Sequence, residues 1–272
     1  MTFTRRLLTV ASAAIIGLGV TACGASESPE AGKSGDEPVT IRVAAVSTPM
    51  TDVVLAAADS IEEGYEIELV ELGDYPIVNN AIKEGEVDAS FSQHIPYMEE
   101  FNEANNADLV AVQPVYDAIV SFYSREFRSW EELPEGAKLF IPEDTSNTGR
   151  ALDLLEQGGV LKLDPKVERF EAGLDDIVEN PKNVEFTQVG FSELPAAYPE
   201  ADAVFMYYAF ARMIDLDPEK DTIASETDGP FTIQLVTRAE LEDSDEIAAL
   251  KKAFTSDKVR EVTEESGNTP AF

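Results

Sequence analysis

Apolar positions along this chain switch between two periods. Residues 39–46 (VTIRVAAV) form a short apolar, β-branched run, and residues 65–72 (YEIELVEL) alternate apolar with acidic side chains, as a half-buried strand does. Between them, Val54, Leu55, Ala58 and Ile61 share one face of a helix that begins near Thr51. The same reading predicts a helix over 79–84, a strand over 87–91, a helix over 96–105 with Pro96 in its first turn, and a strand over 109–115. The pattern then restarts. An apolar run covers 118–123, a short helix 129–133, a strand 138–141, and a helix 147–157 closed by Gly158-Gly159. Further strands are predicted over 184–189, 203–206 and 231–236, with helices over 192–198, 241–254 and 258–265. Strands alternating with helices predict an α/β fold with mostly parallel sheets. This many elements pack as two lobes, and the apolar stretches 118–123 and 230–236 are where the chain crosses between them. The predicted lobes are 39–117 with 230–272, and 118–229. Ligands in open α/β sheets bind beyond the carboxyl ends of strands, so facing lobes place a ligand cleft between them.

The first residues break this pattern. Arg5 and Arg6 precede an apolar run from Leu7 to about Val20, and small residues lead to Cys23 in Val20-Thr21-Ala22-Cys23. This is secretory-leader architecture, too short and wrongly flanked for a spanning helix. It resembles a bacterial lipobox, in which the cysteine is acylated and becomes the new N-terminus. The reading is a lipoprotein signal peptide over 1–22, lipidation at Cys23, and a protein anchored by that lipid on the extracytoplasmic side of the cell membrane. The following segment, part of 23–38, is rich in Gly, Ser, Glu and Pro and lacks aromatic and aliphatic residues, so it reads as a flexible tether.

Charge narrows the partners. Lys and Arg number 20 against 53 Asp and Glu, a net charge of −33 that becomes −35 once Arg5 and Arg6 leave with the leader. Such a surface repels nucleic acid and anionic headgroups, so no nucleic-acid partner is expected and membrane association rests on the lipid. Cys23 is the only cysteine, which excludes a disulfide framework or thiolate metal site from the folded part. His94 is the only histidine, and no Gly-x-Ser-x-Gly elbow, metal-ligand spacing or Gly-rich phosphate loop accompanies it. No catalytic residue, metal or cofactor is therefore assigned, and a binding protein is expected. The alternatives are a hydrolase-like enzyme using His94 and a lipoprotein with a docking role.

Several segments together resemble one family: Asp74-Tyr75 through Asn79-Asn80-Ala81, Asp88-Ala89, Gln93-His94-Ile95-Pro96-Tyr97, Asn147-Thr148-Gly149-Arg150, and Glu179-Asn180-Pro181-Lys182-Asn183. In this order and spacing they resemble the NlpA/MetQ-type methionine-binding lipoproteins of bacterial ABC importers, over essentially 39–272. The resemblance implies a two-lobed periplasmic-binding-protein-like fold (type II) and a small amino acid, usually methionine, held between the lobes. It also implies delivery to a permease with a cytoplasmic ATPase. The site residues it points to are Tyr75, Ser92, Gln93, His94, Tyr97, Asn147, Arg150, Tyr207 and Ile233. Arg150, one turn into its helix, is expected to grip a ligand carboxylate bidentately, helped by the helix N-terminus. Tyr75 and Tyr97 offer aromatic walls, and His94 a polar orienting group. Glu179-Asn180-Pro181 reads as a helix-ending turn. Ser92 stands where the family has Phe, with Phe91 one position earlier and so on the opposite strand face. Tyr207 and Ile233 replace two asparagines that hold the ligand's backbone, which predicts a more apolar pocket. The ligand class is an amino acid, a short peptide or a related small amine or carboxylate.

Overall fold

The computed structural model describes residues 37–226 and 229–272. The predicted leader, Cys23 and the tether as far as Asp36 lie outside the described residues. The chain runs β1 (Val39–Ala45), α1 (Met50–Ala58), β2 (Tyr65–Glu71), α2 (Tyr75–Lys83), β3 (Ala89–Gln93), α3 (Ile95–Asn105) and β4 (Leu109–Asp117). It continues through β5 (Val120–Tyr123), β6 (Lys138–Pro142), α4 (Thr145–Gln157), β7 (Lys162–Leu163), β8 (Ile177–Glu179), β9 (Glu185–Val189), α5 (Leu194–Ala197), β10 (Ala203–Tyr207), α6 (Tyr208–Met213) and β11 (Thr222–Ser225). It ends with β12 (Thr232–Arg238), α7 (Asp245–Phe254), α8 (Asp257–Glu265) and β13 (Thr269–Pro270).

Two larger sheets result. One has the order β13-β4-β12-β3-β1-β2, the other β11-β5-β10-β6-β9. Both are mixed. The blocks β2-β1-β3 and β10-β6-β9 are parallel, as helical crossovers require. The strands that enter or leave at the passages between sheets pair antiparallel: β12 with β3 and β4, β13 with β4, and β5 with β10 and β11. Only Ala118 and Ile119 separate β4 from β5, too short a link for a crossover within one sheet, so the chain changes sheets there.

Burial follows the sequence pattern in the strands, whereas α1 ends at Ala58, turns Met50, Val53, Val54 and Ala57 inward and leaves Leu55, expected on its apolar face, exposed. In β1, Ile41, Val43 and Ala45 join the cluster that holds Val53, Val54, Leu250 and Phe254 of α1 and α7, while Ala44 faces Val78, Ile82, Met98 and Phe101 of α2 and α3. Buried on both faces, β1 reads as a continuous apolar run. At the sheet edge, β2 exposes Glu66 and Glu68 and packs Tyr65, Ile67 and Leu69 inward, which is the alternation seen in its sequence.

Three local readings change. α2 starts at Tyr75 rather than 79, because Asp74 caps it through an Oδ1 that accepts the Tyr75 N–H, and Pro76 is tolerated in a first turn. Residues 129–133 hold only a three-residue 3-10 turn. Glu179-Asn180-Pro181 follows strand β8, not a helix; the Asn180 side chain bonds the Val184 N–H and carbonyl and closes the loop into β9.

Candidate ligand-binding site

Several strands of both sheets end at one place. β3 ends at Gln93 and passes through His94 into α3. β6 ends at Pro142 and passes through Glu143 and Asp144 into α4. β9 leads to Gly190 and Phe191, β10 stops at Tyr207, and Asp74 opens α2 three residues after β2. These carboxyl ends enclose a cavity, where ligands of α/β sheets bind. Seven residues expected from the sequence line it: Tyr75, Ser92, Gln93, His94, Tyr97, Asn147 and Tyr207. Ser92 faces the cavity, whereas Phe91 points the other way and packs at 5.4 Å on the rings of Tyr116 and Phe254. Tyr75 makes edge contacts with Tyr97 at 6.3 Å and Phe191 at 6.1 Å, and Phe191 lies 4.6 Å from Tyr207, so aromatic faces come from both sheets.

His94 is the N-cap of α3. Its Nδ1 accepts the Tyr97 N–H at 3.2 Å, which leaves the ring proton on Nε2; that N–H donates to Asn147 Oδ1 at 3.2 Å. Burial first, and the Arg150 charge second, push the imidazole from 6.5 down to about 3, so the ring is neutral at pH 7. Asn147 passes the connection on, because its Nδ2 donates to Asp144 Oδ1 at 3.0 Å. Burial pushes the Asp144 carboxyl up, opposed by hydrogen bonds from the Asn147 N–H and the Ser146 hydroxyl. The Gln93 and Asn79 amides bond each other in both directions, at 2.9 and 2.5 Å, and are buried. Burial raises the Tyr75 and Tyr97 phenols and pushes Tyr207 up to about 12, the last partly offset by Arg150 beside it. All three stay protonated donors.

A pH dependence follows for His94. Its folded value lies below its unfolded one, so the unfolded chain binds more protons between about 6.5 and 3. The stability it contributes is complete above pH 6.5 and is lost as pH falls through that window, with a slope of at most about 1.4 kcal/mol per pH unit. Urea midpoints measured from pH 7.5 to 4 should fall more steeply for the wild type than for His94→Asn; parallel curves would show that His94 is not buried neutral.

Arg150 and Ile233 are placed differently from the sequence expectation. Ile233 is fully buried in the core beside β4, so it packs the sheet rather than lining the cavity. Arg150, 1% exposed, lines a neighbouring cavity with Ala118, Glu226 and Phe231. Its Nε donates to both Glu226 carboxylate oxygens at 2.8 Å, and its Nη2 bonds Glu226 and the Ala118 carbonyl. The guanidinium carbon stands 4.1 Å over the Phe231 ring, which also meets the rings of His94 and Phe170, each at 5.0 Å. Arg150 thus sits behind His94 and touches both passages between the sheets.

The profile of the NlpA lipoprotein family matches residues 41–271. The chain belongs to this family. Among relatives of this NlpA lipoprotein, the methionine-binding lipoprotein MetQ of Bacillus subtilis is 36% identical over 251 residues, covering 90% of each chain. A nutrient-binding protein from Burkholderia cenocepacia, solved bound to methionine, superposes with a TM-score of 0.81 at 31% identity, covering 85% of this chain and 100% of that one. A YaeC-family lipoprotein from Enterococcus faecalis is 40% identical with a TM-score of 0.74, covering 86% and 99%. The fold is therefore the mixed, two-sheet α/β architecture of these proteins.

This NlpA lipoprotein also brings Asp74, Pro76, Glu143, Asp144, Gly190 and Phe191 to the cavity, none of them expected from sequence. Asp144 and Phe191 were within reach of a simple rule, since they stand three and two residues past a predicted strand's carboxyl end. Their carboxylate and aromatic chemistry is common in so acidic a chain, and nothing else in the sequence marks them.

Proposed function

We propose that this chain is the solute-binding protein of an ABC importer, anchored on the extracytoplasmic side of the membrane by lipid on Cys23. It binds methionine or a related small amino-acid or peptide-like ligand between its two sheets and delivers it to a permease with a cytoplasmic ATPase. The observation that carries this reading is the convergence of Tyr75, Ser92, His94, Tyr97, Asn147 and Tyr207, from both sheets, on one cavity. Family membership and a methionine-bound relative of the same architecture support it. In this reading 39–117 with 230–272 and 118–229 are two lobes, the passages at 118–119 and 229–231 are the hinge, and closure buries the ligand. Tyr75, Tyr97 and Tyr207 are walls, Asn147 and His94 orient the ligand's polar atoms, and Arg150 braces them from behind.

The chain is not an enzyme in this reading. His94 is neutral, and its Nε2–H is engaged by an amide oxygen rather than by a carboxylate that would poise it as a base. Ligand should raise the melting temperature without being consumed; product formation abolished by His94→Ala would replace the binding role with a hydrolase-like one. For the anchor, Cys23→Ser should move the protein from the membrane to the soluble fraction of fractionated cells, and retention in the membrane would remove lipidation from the account.

A further inference from the structure

Beside the cavity, α3 of the first sheet packs on α4 of the second, and polar contacts join them in two places. The inner one is the His94–Asn147 bond at 3.2 Å, between two residues that line the cavity. The other is made by Glu100, which does not line it. Each Glu100 carboxylate oxygen accepts one N–H, from Thr145 at 3.0 Å and from Ser146 at 3.1 Å. These are the first two residues of α4, whose N–H groups find no partner within the helix. The third, Asn147, donates to Asp144 at 2.9 Å. The N-terminus of α4 is thus capped from two sides, by Asp144 just before it and by Glu100 from the other sheet. A carboxylate suits the positive end of a helix, and charge-assisted bonds are roughly twice as strong as neutral ones. Tyr97, which lines the cavity, lies one turn before Glu100 on the same face of α3. Glu100 therefore stands one turn beyond the aromatic wall, half-buried, against an exposed Thr145.

Resting on the reading of this cavity as an amino-acid site between two closing lobes, we propose that Glu100 is the latch of the closed form: it fastens α3 to α4 and sets how long the ligand stays without touching it. Other contacts between the sheets are less suited to this role. The Arg150–Glu226 pair joins the passages themselves, which stay together as the lobes part. The Ser192 hydroxyl reaches Asp74 Oδ1 only at 3.4 Å, and that oxygen already caps α2. When the lobes part, the Glu100 carboxylate and the two N–H groups return to water, so the open form leaves none of them buried without a partner. The neighbouring Asp144 carboxylate repels Glu100, which keeps the latch weak enough to open at the permease. Glu100 is a positioning residue: it acts on the ligand through the placement of α4, which carries Asn147.

Equilibrium binding and chase of radiolabelled L-methionine at pH 7, on the intact protein, test this. Glu100→Ala should bind methionine about tenfold more weakly or worse, with the change in the rate of release rather than of uptake. Its urea midpoint without ligand should move little, because the freed N–H groups meet water, and this split separates a latch from a merely structural contact. Glu100→Asp keeps the charge but is one methylene too short to span both N–H groups, so it should release methionine about as fast as Glu100→Ala. Glu100→Gln, which keeps the length and one acceptor oxygen, should fall between. Release from Glu100→Ala at the wild-type rate, or a Glu100→Asp that behaves as the wild type, overturns the latch and leaves the amino-acid site standing. So does a ligand-free midpoint that falls in step with the affinity. A wild type that binds no methionine overturns the amino-acid reading of the cavity, and the latch with it.

Discussion

Arg150→Ala is expected to lower the unfolding free energy by about 3–5 kcal/mol, read from urea denaturation at pH 7. The guanidinium and the Glu226 carboxyl side chain are 1% and 10% exposed, so removing one strands the other charge away from water. The loss also releases the Ala118 carbonyl and uncovers the Phe231 face, so the two passages between the sheets lose their common brace. The double variant Arg150→Met/Glu226→Gln should recover much of the loss, since it leaves no unpaired charge and keeps volume in place. A single variant as stable as the wild type would mean that the pair is not buried as described.

Gly149→Ala should be nearly as damaging, at least about 3 kcal/mol in the same assay, the upper end for overpacking a core. A Cβ at this position would stand 2.0 Å from the Phe170 carbonyl oxygen and 2.5 Å from its carbon. Both are backbone atoms, and Phe170 itself is held at φ 72°, so the loop has little room to retreat. Gly149 sits inside α4, where alanine ordinarily stabilises a helix by up to about 1 kcal/mol. The expected sign therefore separates the close approach of 170 from helix propensity. A variant with an unchanged or raised midpoint would show that no such contact exists.

These two residues mark how far the sequence could be read. The strands and longer helices were legible because periods of 2 and 3.6 are written into neighbouring residues, as in β2 and α4, or because the run is apolar throughout, as in β1. The caps Asp144 and Ser244 sharpened the helix starts once their side chains were seen to bond the third residue on. The pieces that were not read, β7, β8, β11, α6 and β13, are short and carry little periodicity. The antiparallel returns were also hidden, because the direction of a strand depends on where the chain changes sheets. In the site, residues next to a strand end or in a recognisable segment came through. What did not was pairing across distance. Arg150 and Glu226 are 76 positions apart, and nothing in either neighbourhood announces that the cation expected to meet a ligand is already met by the chain. The same holds for Glu100, which reaches from α3 to the N-terminus of α4. Ile233 was misplaced for a simpler reason: the resemblance aligns it with a site residue, but in β12 it faces the core.

The central claim is that one small ligand is held between the two sheets at their carboxyl ends. Amide hydrogen exchange with and without saturating methionine tests it most directly. The account predicts new protection on both sides of the cavity at once, over 92–98 on the first sheet and over 144–150 and 190–194 on the second. Protection confined to one sheet, or centred instead on the separate surface cavity near Thr48, Ala209 and Met213, would contradict it.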